Sequence, residues 1–413
     1  MPPVNLRSVA KAHRWTAALL AVASAGMILL GTAPAAAQPA CWQQVAPPPP
    51  IDSSEVPKPG SPAPPPIPVP DSPVGGPRMG ECGLVLPAGA PDPPTGISAM
   101  SWLIADADSG EVLAAKDPHA RNRPASTLKL FTALLTVDQL PVDRVVTATQ
   151  TDADQDGSRV GLGPGGHYTV RQLLTGLLLV SGNDAAHALA DQLGGVSSTV
   201  SQMNQLAANL GALDTRAATP SGLDGPGMSA SAYDLALASR QVLNRPLLVE
   251  LLGTRQADFP GYGNRPGFVV SNDNKLLRTY PGALGGKTGF TDDARHTQLD
   301  AAQRGGRRLM VVLMRGEQRP VSMSEQAARL LTYGFALPSG EPVGRLASGA
   351  EPPNTIAAVP GAEPPQVGLH AATRGWNGGS PETVPLLRVI LWVGLAVTIL
   401  GVLGLLIARQ RHR

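Results

Sequence analysis

Lysine is nearly missing from this chain: six lysines stand against 27 arginines in 413 residues. A lysine kept inside a motif therefore marks a cation that must be able to lose its proton, which arginine cannot do. Charge of one sign is also lacking. The net charge of +2 argues neither for a nucleic-acid binder nor for an acidic tail, so no nucleic-acid partner is expected. Metal-ligand patterns are absent as well. His119, His167, His187 and His296 show neither ligand spacing nor an H-E-x-x-H pattern, and His187 reads as a packed or partly exposed residue. "DADQDG" (152–157) begins like a calcium loop, but its twelfth position is Gly163 where a bidentate Glu is required. No metal or organic cofactor is expected. Cysteine is limited to Cys41 and Cys82, which form a disulfide if the chain is exported, or else stay free or lipid-modified; "QPAC" is a poor lipoprotein signal.

The chain ends carry what the middle lacks, long apolar runs. Residues 1–37 read as a secretory signal. Arg7, Lys11, His13 and Arg14 precede "WTAALLAVASAGMILLG", and "APAAAQ" offers a cleavage site near Ala37; an uncleaved anchor is the alternative. Val389–Ala408 is apolar over 20 residues, enough to cross a hydrocarbon core of about 30 Å as a helix. The expected span is 386–408, with "RQRHR" (409–413) as a cytoplasmic tail and everything before it outside. The expected location is thus a cell membrane, crossed once, with the bilayer as a partner of the C-terminal helix.

Proline and glycine divide the rest. Residues 38–97 ("APPPPIDSSEVPKPGSPAPPPIPVPDSPVGGP" within them) favour extended polyproline II and read as an extracytoplasmic spacer. A second linker spans 338–385. Between them, 98–337 are long enough for one sizeable core. "SWLIADADSGEVLAAKD" reads as a hairpin, "STLKLFTALLTVDQL" as a helix with Ser126 as its N-cap candidate, and "TVRQLLTGLLLV" as a buried helix ending at "SGND". "RRLMVVLMRG" reads as a buried strand and "SMSEQAARLLTYGF" as a closing helix. Strands at both ends with helices between predict an α/β fold, with a helical subdomain inserted into a sheet.

Ser126 and Lys129 share a helix face three residues apart, where a neutral lysine amine can take the serine proton. S-x-x-K alone is weak: Ser8 to Lys11 in the signal matches too. Two further motifs follow in order. Ser181-Gly182-Asn183 comes after the buried helix, and Lys287-Thr288-Gly289 lies in "ALGGKTGFTDDA", a segment suited to an edge strand beside a substrate.

With these three motifs the sequence resembles the penicillin-binding proteins and serine β-lactamases, specifically the low-molecular-mass D-alanyl-D-alanine carboxypeptidases. "RPAST-K", "GLLLVSGNDAAHALA", "GGKTGFTDDA" and "TPSGLDGPGMSASAYDLA" carry the resemblance. It implies a β-lactamase/transpeptidase-like fold, an antiparallel sheet flanked by helices. It implies peptidoglycan stem peptides ending in D-Ala-D-Ala as substrates and β-lactams as covalent inhibitors. Catalytic roles would fall to Ser126 as nucleophile, Lys129 as base and Ser181 as proton relay. Asn183 would hold the substrate amide, Lys287 and Thr288 its carboxylate, with Gly289 allowing close approach. The N–H groups of Ser126 and Phe290 would make the oxyanion hole. A class A β-lactamase is the rival within the fold, and Glu250, the one Glu between Ser181 and Lys287, sits in apolar "LLVELL". A membrane-anchored receptor that binds without hydrolysis is the rival outside it.

Overall fold

The computed structural model describes residues 41–338 and 340–348. The signal (1–37), most of the second linker and the membrane span (386–408) lie outside the described residues. Among the described residues, no helix is long and apolar enough to cross a membrane.

Strands β1 (Leu84–Val85), β2 (Ser101–Asp106) and β3 (Glu111–Lys116) open the chain. Two-stranded ribbons follow, β4 (Val145–Thr147) with β5 (His167–Thr169), and β6 (Gln256–Phe259) with β7 (Phe268–Ser271). Then come β8 (Ala283–Thr291), β9 (Arg295–Arg304), β10 (Arg307–Gly316) and β11 (Gly344–Arg345). The main sheet is antiparallel and runs β1-β3-β2-β10-β9-β8, with β11 also on β3. The strand bearing Lys287-Thr288-Gly289 is therefore an edge strand, as its glycine-flanked sequence implied.

The apolar run of β10 follows from burial on both faces. Leu309, Val311 and Leu313 pack with Leu330 and Leu331 of α9 (Met323–Ala336), while Met310, Val312 and Met314 join the core on the opposite face. That second core is helical: α1 (Lys129–Gln139), α2 (Gln150–Ala153), α3 (Val170–Leu179), α4 (Asn183–Gln192), α5 (Val196–Leu210), α6 (Ala232–Leu243) and α7 (Pro246–Gly253). The short α8 (Leu276–Thr279) leads into β8. Thr169 and Gln172 form a capping box on α3, and Ser322 accepts Glu325 N to start α9, so local sequence fixes these starts.

Two expectations are corrected. The Pro-rich segment, expected to be a spacer, is docked onto the domain. Arg121, 1% exposed, donates to Val45 O, Ile67 O and Pro68 O, and Arg121 N donates to Gln43 O. Proline lacks an N–H but keeps its carbonyl, so a proline-rich strand can dock wherever the domain supplies donors. The folded unit also exceeds both expected boundaries, because β1 and β11 pair into the sheet from outside 98–337.

Cys41 and Cys82 are joined in a disulfide that closes 41 residues. Chain entropy sets an upper bound near ~4 kcal/mol for a loop of this size. Reduction should lower the unfolding midpoint in denaturant accordingly; an unchanged midpoint would show the strap held without its clasp.

Candidate active site

Ser126 does not cap a helix as expected. It lies in a 3-10 turn, Ala125–Leu128, that runs into α1. Ala125, the first residue of that turn, has a φ of 46°, outside the right-handed helical region. A non-glycine residue there is strained and persists only where its surroundings over-determine it. Those surroundings are visible. Pro124 O accepts Thr127 Oγ1 at 2.6 Å and Thr297 Oγ1 of β9 at 2.9 Å. Gly222, at φ +82°, lies so close that a Cβ would sit 2.0 Å from Ala125 O.

Lys129 Nζ is fully buried and lies 2.8 Å from Ser126 Oγ, 2.7 Å from Asn183 Oδ1 and 2.6 Å from Ser221 O. Burial pushes its pKa well below the lysine range, and the nearby Lys287 cation adds to the fall, against Asp273 and Asp184. Two of the three neighbours are acceptors only. A neutral amine has two N–H groups for them and one lone pair, which is left facing the serine hydroxyl. An ammonium could donate to all three, so the contacts alone suit either state; burial is what favours the neutral amine, and the neutral amine is the state that can act as a base.

Asn183 opens α4 and is held by its neighbours: Nδ2 donates to Asp156 O at 2.6 Å, and its N–H to Ser158 O. The next residue, buried Asp184, accepts from Val160, Gly161 and Leu162 N–H groups and so hangs the facing loop on this helix. Ser181 is buried at a φ of 61°, a strained turn that brings it to the cleft beside Asn183.

On the opposite side, Lys287 is fully buried in β8 and does not itself line the cleft; its Nζ donates to the carbonyl of cleft-lining Thr288 at 2.8 Å. Burial lowers its pKa too, opposed by Asp273. Ser126, Ser181, Asn183, Thr288, Gly289 and Phe290 line one open cleft of about 600 Å³. Gly289 is required at its position: a Cβ would meet Thr297 Oγ1 at 2.4 Å and Ser126 N at 2.8 Å. Phe290 stays 47% exposed at the rim, its ring 4.5 Å from His296.

Sequence reasoning missed Asp273, Lys275, Gln298, Ser322 and Ser324, which also line the cleft. Single polar residues outside any motif give no signal in one sequence. Glu250 lies elsewhere, exposed and ion-paired with Arg171, and no Glu lines the cleft among the described residues. A carboxylate to activate a deacylating water is thus not supplied by the one candidate. His187 is half-buried and pairs with Asp152 at 2.6 Å. Both ring nitrogens of buried His119 are occupied, by Asp214 at 2.7 Å and Val74 O at 3.0 Å.

Comparison with known proteins places this geometry. A family model described as D-alanyl-D-alanine carboxypeptidase, peptidase S11, matches residues 88–318. The chain is 46% identical over 266 residues to D-alanyl-D-alanine carboxypeptidase DacB2 of Mycobacterium tuberculosis, covering 63% of this chain and 90% of that protein. Among solved structures, a D-alanyl-D-alanine carboxypeptidase from M. tuberculosis H37Rv superposes with a TM-score of 0.61 at 45% identity, over 63% of this chain and all of that one. The Streptomyces K15 DD-transpeptidase gives 0.57 at 30% identity, over 60% and 100% of the respective chains.

Proposed function

This chain belongs to the serine D-alanyl-D-alanine carboxypeptidase family, and from that premise we propose how its own residues remove the terminal D-Ala of a peptidoglycan stem. The 2.8 Å contact of the buried Lys129 Nζ with Ser126 Oγ, at a site where burial favours the neutral amine, carries the reading. Ser126 Oγ attacks the carbonyl between the two D-alanines while its proton passes to Lys129 Nζ. The oxyanion is held by the N–H groups of Ser126 and Phe290. Collapse breaks the C–N bond, and the leaving amine takes its proton through Ser181 Oγ. Water then cleaves the ester on Ser126. Lys287 and Thr288 receive the substrate carboxylate, and the second Nδ2 proton of Asn183 is free for the substrate amide. β-Lactams acylate the same oxygen.

The test is direct. The protein, incubated with a stem pentapeptide, releases D-alanine, and a β-lactam stops release while adding its mass to the peptide containing Ser126. Neither release nor label would sink the assignment.

The two lysines need opposite states, Lys129 neutral and Lys287 charged, so the rate rises and then falls with pH. Asp273 favours protonation of both. Asp273→Asn should therefore move both limbs of the kcat/KM profile to lower pH. Limbs that stay put would remove Asp273 from the electrostatics of the site.

We further propose export by residues 1–37 and anchoring by 386–408, which places the catalytic domain outside the cell membrane. Their composition supports this. Deleting 386–413 should release the protein from alkaline-washed membranes; retention would refute the anchor.

A further inference from the structure

The family match begins at residue 88, so the strap of residues 41–87 lies ahead of it. Yet the strap reaches the segment that carries the nucleophile. Arg123 stands three residues before Ser126, with its side chain only 2% exposed. Its guanidinium is gripped by the Glu55 carboxylate through Nε and, at 2.8 Å, through Nη2. The remaining nitrogen, Nη1, donates to Pro48 O at 2.5 Å. Every nitrogen of this buried cation thus ends in the strap. A second tie runs to the other wall of the cleft. Ile51 N donates at 2.6 Å to Asp293 Oδ1, in the turn between β8 and β9, whose carbonyl also accepts Arg315.

We propose that the strap positions the nucleophile, with Glu55 as a positioning residue that acts on Ser126 through Arg123. A bidentate guanidinium–carboxylate pair fixes direction as well as distance. It does so two residues from Ala125, whose strained backbone needs external support. Without Glu55, Arg123 is left as a buried charge lacking its partner and must seek another, which pulls on residues 123–126. The Ile51 tie holds the β8–β9 turn, so both sides of the nucleophile are referenced to one covalently clasped segment. The inference rests on Ser126 being the nucleophile.

The full chain is compared as wild type, Glu55→Ala, Glu55→Gln and Ile51→Pro. A fluorescent penicillin at several concentrations separates the pre-covalent dissociation constant from the first-order acylation step. Glu55→Ala should slow acylation by about tenfold to a hundredfold, as small misplacements do, with the dissociation constant held within about twofold. Glu55→Gln keeps the shape and one acceptor, and should recover part of the loss. Ile51→Pro deletes one N–H beneath an exposed side chain and should slow the same step by less; it decides alone if Glu55→Ala does not fold. Acylation constants equal to wild type in the folded variants, whatever their melting temperatures, would reduce the strap to a stabilising cover and overturn the proposal. A wild type that takes no label at Ser126 would instead overturn the nucleophile assignment beneath it.

Discussion

Lys129→Arg should leave a folded protein that acylates about 10²- to 10⁴-fold more slowly, the usual worth of a positioned general base. The substitution puts a permanent cation where the working wild type holds a neutral amine. A guanidinium keeps its proton at any working pH and has no lone pair to receive the Ser126 proton. The wild-type amine sits at 2.6–2.8 Å from Ser126 Oγ, Asn183 Oδ1 and Ser221 O, and only the serine among them can donate to it. Arginine would turn that contact round, donating to Oγ and leaving the hydroxyl proton in place. The wild-type pH profile makes the same claim independently. Lys129 must be neutral to act, so the acid limb of kcat/KM should lie well below the ordinary lysine range, in the direction that burial and Lys287 push it. Acylation by Lys129→Arg within tenfold of wild type, measured with a labelled penicillin and confirmed by an unchanged melting curve, would remove Lys129 as the base.

The site was legible in the sequence to the extent that its residues sit in short, specified strings. Ser126, Lys129, Ser181, Asn183, Thr288 and Gly289 come from three separate segments, and the fold brings them together. The long elements were legible for a different reason. Burial on both faces leaves an unbroken apolar run in β10, and burial of one face leaves helical spacing in α9, whereas α1 is buried all round from Lys129 to Thr136. What stayed hidden depends on neither motif nor periodicity. Ala125 carries the strain at the start of the 3-10 turn, and no side-chain pattern announces a positive φ at alanine. The strap was read as an extended spacer from its proline content. It docks through its carbonyls onto Arg121 and Arg123, which no motif singles out in the sequence. Asp273 and Asp184 act through space on Lys129, more than 50 residues away from either, and that is a tertiary fact.

Gly289→Ala should lower kcat/KM and penicillin acylation by about 10²-fold or more, the scale of losing one oxyanion donor. The added methyl has nowhere to go. It would stand 2.4 Å from Thr297 Oγ1, 2.8 Å from Ser126 N and 3.0 Å from Ala125 Cβ. Ser126 N is backbone, and Thr297 Oγ1 is committed to Pro124 O, so neither neighbour is a flexible side-chain end. The strand must therefore back away from the nucleophile turn. That motion separates the two N–H groups proposed to hold the oxyanion, because Phe290 follows Gly289 directly on the moving strand while Ser126 stays with α1. Overpacking of this kind commonly costs about 1–3 kcal/mol of stability, so the variant should fold with a lowered melting temperature. A merely destabilised enzyme would recover its full rate on cooling below that midpoint, and this one should not. The displaced donors face the developing oxyanion more than the resting carbonyl, so the loss should fall on the acylation constant and leave pre-covalent binding nearly unchanged. An acylation constant close to wild type would mean that β8 yields without disturbing the hole, and that the glycine serves the strand rather than the chemistry.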